Sequence, residues 1–201
     1  TVVPTLGNAF LSKNGLTYAF PLRSGVKFHD GTTLKPEDVK YSLMRFLLLD
    51  REGGASSLLL WPLLGVRSTK DLPSDQIFDL ADKDVSIEGG ALVLRMQRPF
   101  APLLGVLANF GHIVSKDFVV ANGGWNGRKD TWFKHRDPDK ETSILYARVN
   151  GTGPFRLETW DHLGKTTALT RFDAYWRSPA ALARVNLMAV EDSRERRRRM
   201  E

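Results

Sequence analysis

Four histidines, His29, His112, His135 and His162, are the side chains best suited to acid–base or metal chemistry near neutral pH. None lies three or four positions from another, so no helix would turn two imidazoles toward one metal ion. His29 stands beside Asp30, a pairing that could serve proton transfer. Neighbours in a strand point to opposite faces, however, so these two would not meet at one proton, and a turn-stabilising role is expected instead. Carboxylates are numerous, but no spacing isolates a catalytic pair. The sequence holds no cysteine, which excludes disulfides, thiolate nucleophiles and Cys-based zinc sites. Gly151-Thr152-Gly153 lacks the third glycine of a dinucleotide fingerprint and runs into Pro154. Phosphate-loop and Gly-x-Ser-x-Gly patterns are absent. No enzyme, no catalytic residue, no metal and no cofactor is expected.

Binding chemistry is the other possibility. Trp61, Trp125, Trp132, Trp160 and Trp176 could stack on bases or sugars, but their spacing matches no stacking module, and core or rim positions are expected for most. The formal charge of the 201 residues is +6. The basic run at Arg194, Arg196, Arg197, Arg198 and Arg199 is interleaved with Glu191, Asp192, Glu195 and Glu201, so its charges nearly cancel and it reads as a solvated helix face. The remaining positive excess is dispersed, which is weak footing for phosphate binding. A basic nucleic-acid-binding module is nevertheless the alternative of a different class. It predicts an affinity that falls steeply with salt.

The elements that would position such residues follow from periodicity. Leu16, Tyr18, Phe20 and Leu22 alternate with polar or small residues, a half-buried strand with Pro21 placing it at an edge or ending it early. Arg23 to Gly31 reads as a short strand closed by an Asp-Gly turn. Pro36 opens a helix with Glu37 and Asp38 at its positive end and Val39, Leu43, Phe46 and Leu47 in one stripe. Residues 50 to 57 and 67 to 76 are expected to be loops, with a short helix between them. Val85, Ile87, Leu92, Leu94 and Met96 flank Glu88-Gly89-Gly90 as a hairpin. Pro102 begins a helix carrying Leu103, Val106, Leu107 and Phe110, and Ser115 caps another short one. Residues 121 to 142 read as a long surface excursion. A second hairpin, a strand near Val185 to Ala189 and a charged helix from Ser193 complete a mixed α/β chain with partly antiparallel sheets. No uncharged apolar run reaches the length of a membrane span. Thr1-Val2-Val3-Pro4 is not the basic-then-apolar opening of a signal peptide, so any leader is expected to be absent from this sequence.

Several segments go further when taken in order. Asn14 to Arg23 leads into Gly25-Val26-Lys27-Phe28-His29-Asp30-Gly31 and then Pro36-Glu37-Asp38-Val39-Lys40-Tyr41-Ser42. Ile113-Val114-Ser115-Lys116, Asn150-Gly151-Thr152-Gly153-Pro154-Phe155 and Arg171-Phe172-Asp173-Ala174-Tyr175-Trp176 follow. Together they resemble the signature segments of the family 5 extracellular solute-binding proteins, which take peptides or nickel and serve ABC importers. The resemblance covers nearly the whole chain and identifies the fold better than the ligand. One departure is Lys35, where many relatives carry a Thr or Ser cap. Lysine has no acceptor, which weakens the helix start by about 1 kcal/mol. Another is length: the chain is less than half the family's usual size, and the second lobe is expected to be missing.

The resemblance implies a type II periplasmic-binding-protein-like first lobe that includes the family's extra small α+β domain. That domain is expected at 16–118, with 1–15 and 119–201 as parts of the lobe itself. It implies capture of di- or oligopeptides outside the cytoplasmic membrane, in the periplasm or at the cell surface, and delivery to an ABC permease. A lipid anchor on the full-length protein is one option. Nickel complexes, sugars and opines are the alternatives inside the family. Asn109, Phe110, Gly111 and Trp125 are the expected cleft-facing residues. A monomer that binds no nucleic acid is expected, as is poor ligand binding by this chain alone, because half of the cleft wall is absent.

Overall fold

The alternation over residues 16 to 22 forms a strand, β1 (Thr17–Pro21), and the hairpin read further on forms β2 (Val85–Glu88) and β3 (Ala91–Arg95). The three make an antiparallel sheet in the order β1-β3-β2, with Tyr18 opposite Leu94 and Ile87 opposite Leu92. Gly89 and Gly90, at φ +54° and +77°, supply the two left-handed residues that a tight hairpin turn demands. Central β3 is buried on both faces through Leu92, Val93 and Leu94. Pro21 ends the outer strand, where its missing N–H costs no ladder bond. In this computed structural model, residues 3–49, 54–146 and 148–199 are described. Part of the loop expected over 50 to 57, and Glu201, lie outside the described residues.

Helix α1 (Pro36–Leu48) packs on that sheet, with Val39, Leu43 and Leu47 buried. Lys35 makes no side-chain cap, but the acidic half of the box forms: the Lys35 N–H donates to Asp38 Oδ2 at 2.8 Å. Next come α2 (Ser57–Leu59), which widens into a π-helical turn (Leu60–Leu64), and α3 (Ser74–Asp84). Residues 67 to 73 are loop, as expected; only at the last three residues, 74 to 76, is that reading corrected, by helix α3. Its buried residues are Ile77, Ala81 and Asp84, and the first two are one turn apart among aspartates that mask the stripe. Two further helices, α4 (Leu103–Phe110) and α5 (Lys116–Ala121), complete this layer, and the Ser115 hydroxyl caps α5 by accepting from the Phe118 N–H at 3.2 Å.

The stretch Arg23 to Gly31 is not a strand. Gly25 and Gly31 sit at φ +72° and +89° and fold it into a tight loop with a single bridge, Lys27 to Thr33. The excursion expected at the surface over 121 to 142 holds, after the end of α5, two short 3-10 turns (Trp132–His135 and Lys140–Thr142), and it carries two core residues. Trp132 is fully buried, with its Nε1–H on Ser74 O at 3.1 Å, and Trp125 is 2% exposed. The cluster around Leu47, Leu59, Leu63, Ile77 and Leu94 includes both.

The second sheet is β4 (Phe155–Asp161), β5 (Thr166–Arg171) and β6 (Arg184–Met188), antiparallel in sequence order, with a register shift between Leu157 and Thr159. The final helix, α6 (Ser193–Arg198), is capped by Asp192, and its Glu195 pairs with both Arg198 and Arg199. Among the described residues no helix is long and apolar enough to cross a membrane.

Candidate functional site

Two pairs of signature segments lock to each other and frame the site. In the first, Asp38 of α1 is 5% exposed; its Oδ1 accepts the Lys116 N–H at 2.8 Å while Oδ2 holds Lys35. One turn later the Ser42 hydroxyl donates to Asp38 O at 2.6 Å and accepts the Val114 N–H at 2.9 Å. The segment between α4 and α5 is thereby fixed against α1. In the second pair, the His29 N–H donates to Gly151 O at 2.9 Å, and Asn150 Nδ2 donates to Asp30 Oδ2 at 2.6 Å. His29 Nε2 lies 3.1 Å from Gly153 O, its Nδ1 faces the Gly151 N–H, and its ring meets Phe172 edge-on at 5.1 Å. A neutral imidazole protonated at Nε2 satisfies both contacts. Burial and, secondarily, Arg156 lower the His29 pKa below its ordinary 6.5 against the opposing pull of the Gly153 bond and Asp30. His29 and Asp30 thus both reach the residue 150 turn because they lie in a loop, where strand alternation does not apply. Their role is structural, as expected.

Between these junctions lies an apolar cavity of about 460 Å³. Helix α1 contributes Val39, Leu43 and Phe46; the first sheet and its edge contribute Phe20, Leu22 and Leu92; α4 contributes Leu104, Leu107 and Phe110. Gly111, Ile113, Val3 and Pro4 extend the wall, and Arg23, His112, Thr152 and Trp176 supply polar atoms. Gly111 has no room for a side chain: a Cβ there would stand 2.5 Å from Leu107 O. The Arg23 guanidinium lies 4.5 Å from the Trp176 ring centroid, and so does that of Arg177. Neither guanidinium has a carboxylate partner among the described residues. Such a cavity can hold an apolar group and offer positive charge at one side. It has no nucleophile with an adjacent base, and among the described residues no group of three His, Cys, Asp or Glu side chains could hold a metal ion.

The family model of the "Bacterial extracellular solute-binding proteins, family 5 Middle" matches residues 1–201. The chain belongs to this family. It is 28% identical over 183 residues to the dipeptide-binding protein of Escherichia coli K12, covering 87% of this chain and 30% of that protein. It is 27% identical to di/tripeptide-binding protein 2 of Pseudomonas aeruginosa, covering 100% of this chain and 35% of the relative. Among solved structures, OppA of Burkholderia pseudomallei superposes with a TM-score of 0.65 at 19% identity, over 94% of this chain and 33% of that one. The fold is therefore that of the type II periplasmic peptide-binding proteins, and this family 5 chain spans about a third of the length of the relatives it matches. The family is one of solute binders rather than enzymes.

Within this family 5 chain the four expected site residues separate. Phe110, 40% exposed, and Gly111 line the cavity. Asn109 is exposed beside it, with its side-chain amide donating to Gly105 O at 2.8 Å, and contributes no lining atom. Trp125 does not face a cleft. Its ring stacks on Tyr41 at 5.4 Å and meets Phe78 edge-on, its Nε1–H donates to Arg128 O at 2.9 Å, and its own carbonyl accepts the Tyr41 hydroxyl at 2.5 Å. Burial pushes the Tyr41 phenol up to about 12, so it stays a donor. Arg23, Trp176 and Arg177 were missed as site residues. Arg23 and Trp176 both lie in signature segments, but a separation of this size in sequence gives no sign of contact.

Proposed function

We propose that the chain is the first lobe of a substrate-binding component of an ABC importer, and that it supplies one wall of a peptide-binding cleft. The observation that carries the reading is the cavity at the C-terminal end of α4, apolar inside and cationic at one side, in a chain whose relatives are named for dipeptides and di/tripeptides. A free peptide offers the matching chemistry of apolar side chains and a terminal carboxylate. Asn109, Phe110 and Gly111 face the cleft in this reading. Residues 16–118 form the small α+β domain, and 1–15 and 119–201 belong to the lobe. The protein works outside the cytoplasmic membrane, delivers its ligand to a permease and catalyses no reaction.

Nuclear magnetic resonance titration of the 15N-labelled chain with pooled di- to hexapeptides tests this. Weak binding is expected, with millimolar peptide shifting the amides of Phe110 and Gly111 first, because a single wall leaves the ligand half solvated. Peptide pools that leave these amides still, while sugars or a nickel–histidine complex move them, would overturn the peptide assignment.

A further inference from the structure

We propose that the cavity beside α4 is a self-sufficient subsite for a carboxylate carried on an apolar chain, with Arg23 as the partner of the carboxylate. The inference rests on the solute-binding reading above and narrows it to one ligand chemistry. At about 460 Å³ the cavity lies within the range of small-molecule pockets, about 300–1,000 Å³. Its interior is made by Phe20, Leu43, Phe46 and Leu107, none of which offers a hydrogen bond. The Ser42 hydroxyl also reaches the wall, but it is committed to Asp38 O and the Val114 N–H. A wholly polar ligand would therefore lose its water without replacement.

The charge at the side of this interior has one sign. Arg23 is on the lining, stacked over Trp176, and Arg177 lies over the same ring. Three arginines elsewhere in the chain answer nearby acids: Arg128 holds Asp130, Arg171 holds Asp173, and Arg184 holds Glu158. Arg67 and Arg98 share the Trp61 ring without an acid among the described residues, but neither is on the cavity lining. Arg23 and Arg177 have no acid to answer among the described residues. A planar guanidinium fork pre-positioned by stacking suits the two oxygens of a carboxylate. All of these residues belong to this chain, so the subsite needs no second lobe.

Titration calorimetry with four small probes tests the assignment. N-acetyl-leucine carries both features, N-acetyl-leucine amide lacks the charge, N-acetylglycine lacks the apolar group, and octanoate lacks the amide. N-acetyl-leucine is expected to bind about tenfold or more tightly than N-acetyl-leucine amide or N-acetylglycine. Arg23→Gln is expected to erase the preference for acid over amide while leaving amide binding unchanged. Arg23 is exposed, so the variant keeps the wild-type melting temperature. Leu107→Trp, which fills the cavity, is expected to abolish uptake of every probe. Octanoate binding as well as N-acetyl-leucine assigns the subsite to any apolar carboxylate, and weaker octanoate binding assigns it to the carboxyl-terminal residue of a peptide.

Equal binding of acid and amide, or an acid preference that survives Arg23→Gln, overturns the inference. So does concentration-dependent self-association that Leu107→Trp abolishes when no probe binds, which would give the cavity to a second copy. These failures are separate from failure of the peptide reading. Peptide pools that shift Phe110 and Gly111 without any dependence on Arg23 sink the subsite alone. Probe binding that depends on Arg23, with inert peptide pools, sinks the peptide reading alone.

Discussion

Replacing Asp38 with alanine should loosen the joint between α1 and α5 and lower global stability. Two N–H groups depend on this buried carboxylate: that of Lys35 on Oδ2 and that of Lys116 on Oδ1, both at 2.8 Å. A hydrogen bond to a charged acceptor contributes about 1.5–3 kcal/mol. Both N–H groups are only part-buried, and water can partly replace the lost acceptor, so the loss for the pair is about 3–5 kcal/mol. For a chain of this size, at about 2–4 °C per kcal/mol, that is a fall in melting temperature of about 6–20 °C. Asparagine retains one acceptor oxygen but turns an amide donor toward the other N–H, so Asp38→Asn should lie closer to alanine than to wild type. Urea unfolding followed by circular dichroism gives the global number, and hydrogen exchange at the Lys116 amide gives the local one. An Asp38→Ala chain within about 1 kcal/mol of wild type, with the Lys116 amide still protected, would refute the argument that this carboxylate joins the two helices.

Two further outcomes follow from buried titratable groups. The folded pKa of His29 is lowered, first by burial, so the stability it contributes is full above its ordinary 6.5 and is lost as pH falls toward and through the lowered value. Urea midpoints of wild type should therefore drop more steeply than those of His29→Gln below about pH 6.5; parallel curves would remove the imidazole from the junction. Asp84, 2% exposed, has its pKa raised by burial, against the opposing effects of Gln97, Lys83 and Arg95. Its charge therefore costs stability at neutral pH and the cost is relieved as pH falls. Asp84→Asn keeps an acceptor for the Gln97 amide, now 2.9 Å from Oδ2, and should raise the melting temperature at neutral pH, with the gain shrinking toward about pH 4. A destabilised variant at neutral pH would refute the sign.

Local pattern was legible where one principle ruled. Pro36 with its acids, the Gly89-Gly90 turn and the Ser115 cap were each readable from neighbours in sequence, and the structure has each in place. Helix α3 was hidden because aspartates surround its buried Ile77 and Ala81, so composition spoke for loop while packing enforced helix. The loop at 23 to 31 read as a short strand before an Asp-Gly turn, but Gly25 and Gly31, both at positive φ, bend the chain before a ladder can form. Trp125 was misjudged for a related reason: a polar, glycine-rich neighbourhood implies surface, but one large aromatic can turn inward when its N–H finds a local carbonyl, here Arg128 O. The cavity was half legible. Phe110 and Gly111 stand at a helix end, a place sequence can mark, whereas Arg23 and Trp176 meet across a junction of segments far apart in sequence, where His29 and Asp30 dock on residues 150 to 153 and on Phe172.

The inward turn of Trp125 and Trp132 has an optical consequence. Both indoles lie between α5 and β4, Trp125 in irregular chain and Trp132 at the start of a single 3-10 turn (Trp132–His135). Circular dichroism in the far ultraviolet, dominated by the α-helices, reports little of such a segment, but tryptophan emission reports it. Undocking of the excursion would expose these rings to water and shift their fluorescence to the red while the helical signal stayed intact. Coincidence of the two signals through a melt would mean that an apparently decorative loop belongs to the cooperative unit of the domain; a red shift that comes first would mark it as a separately opening flap.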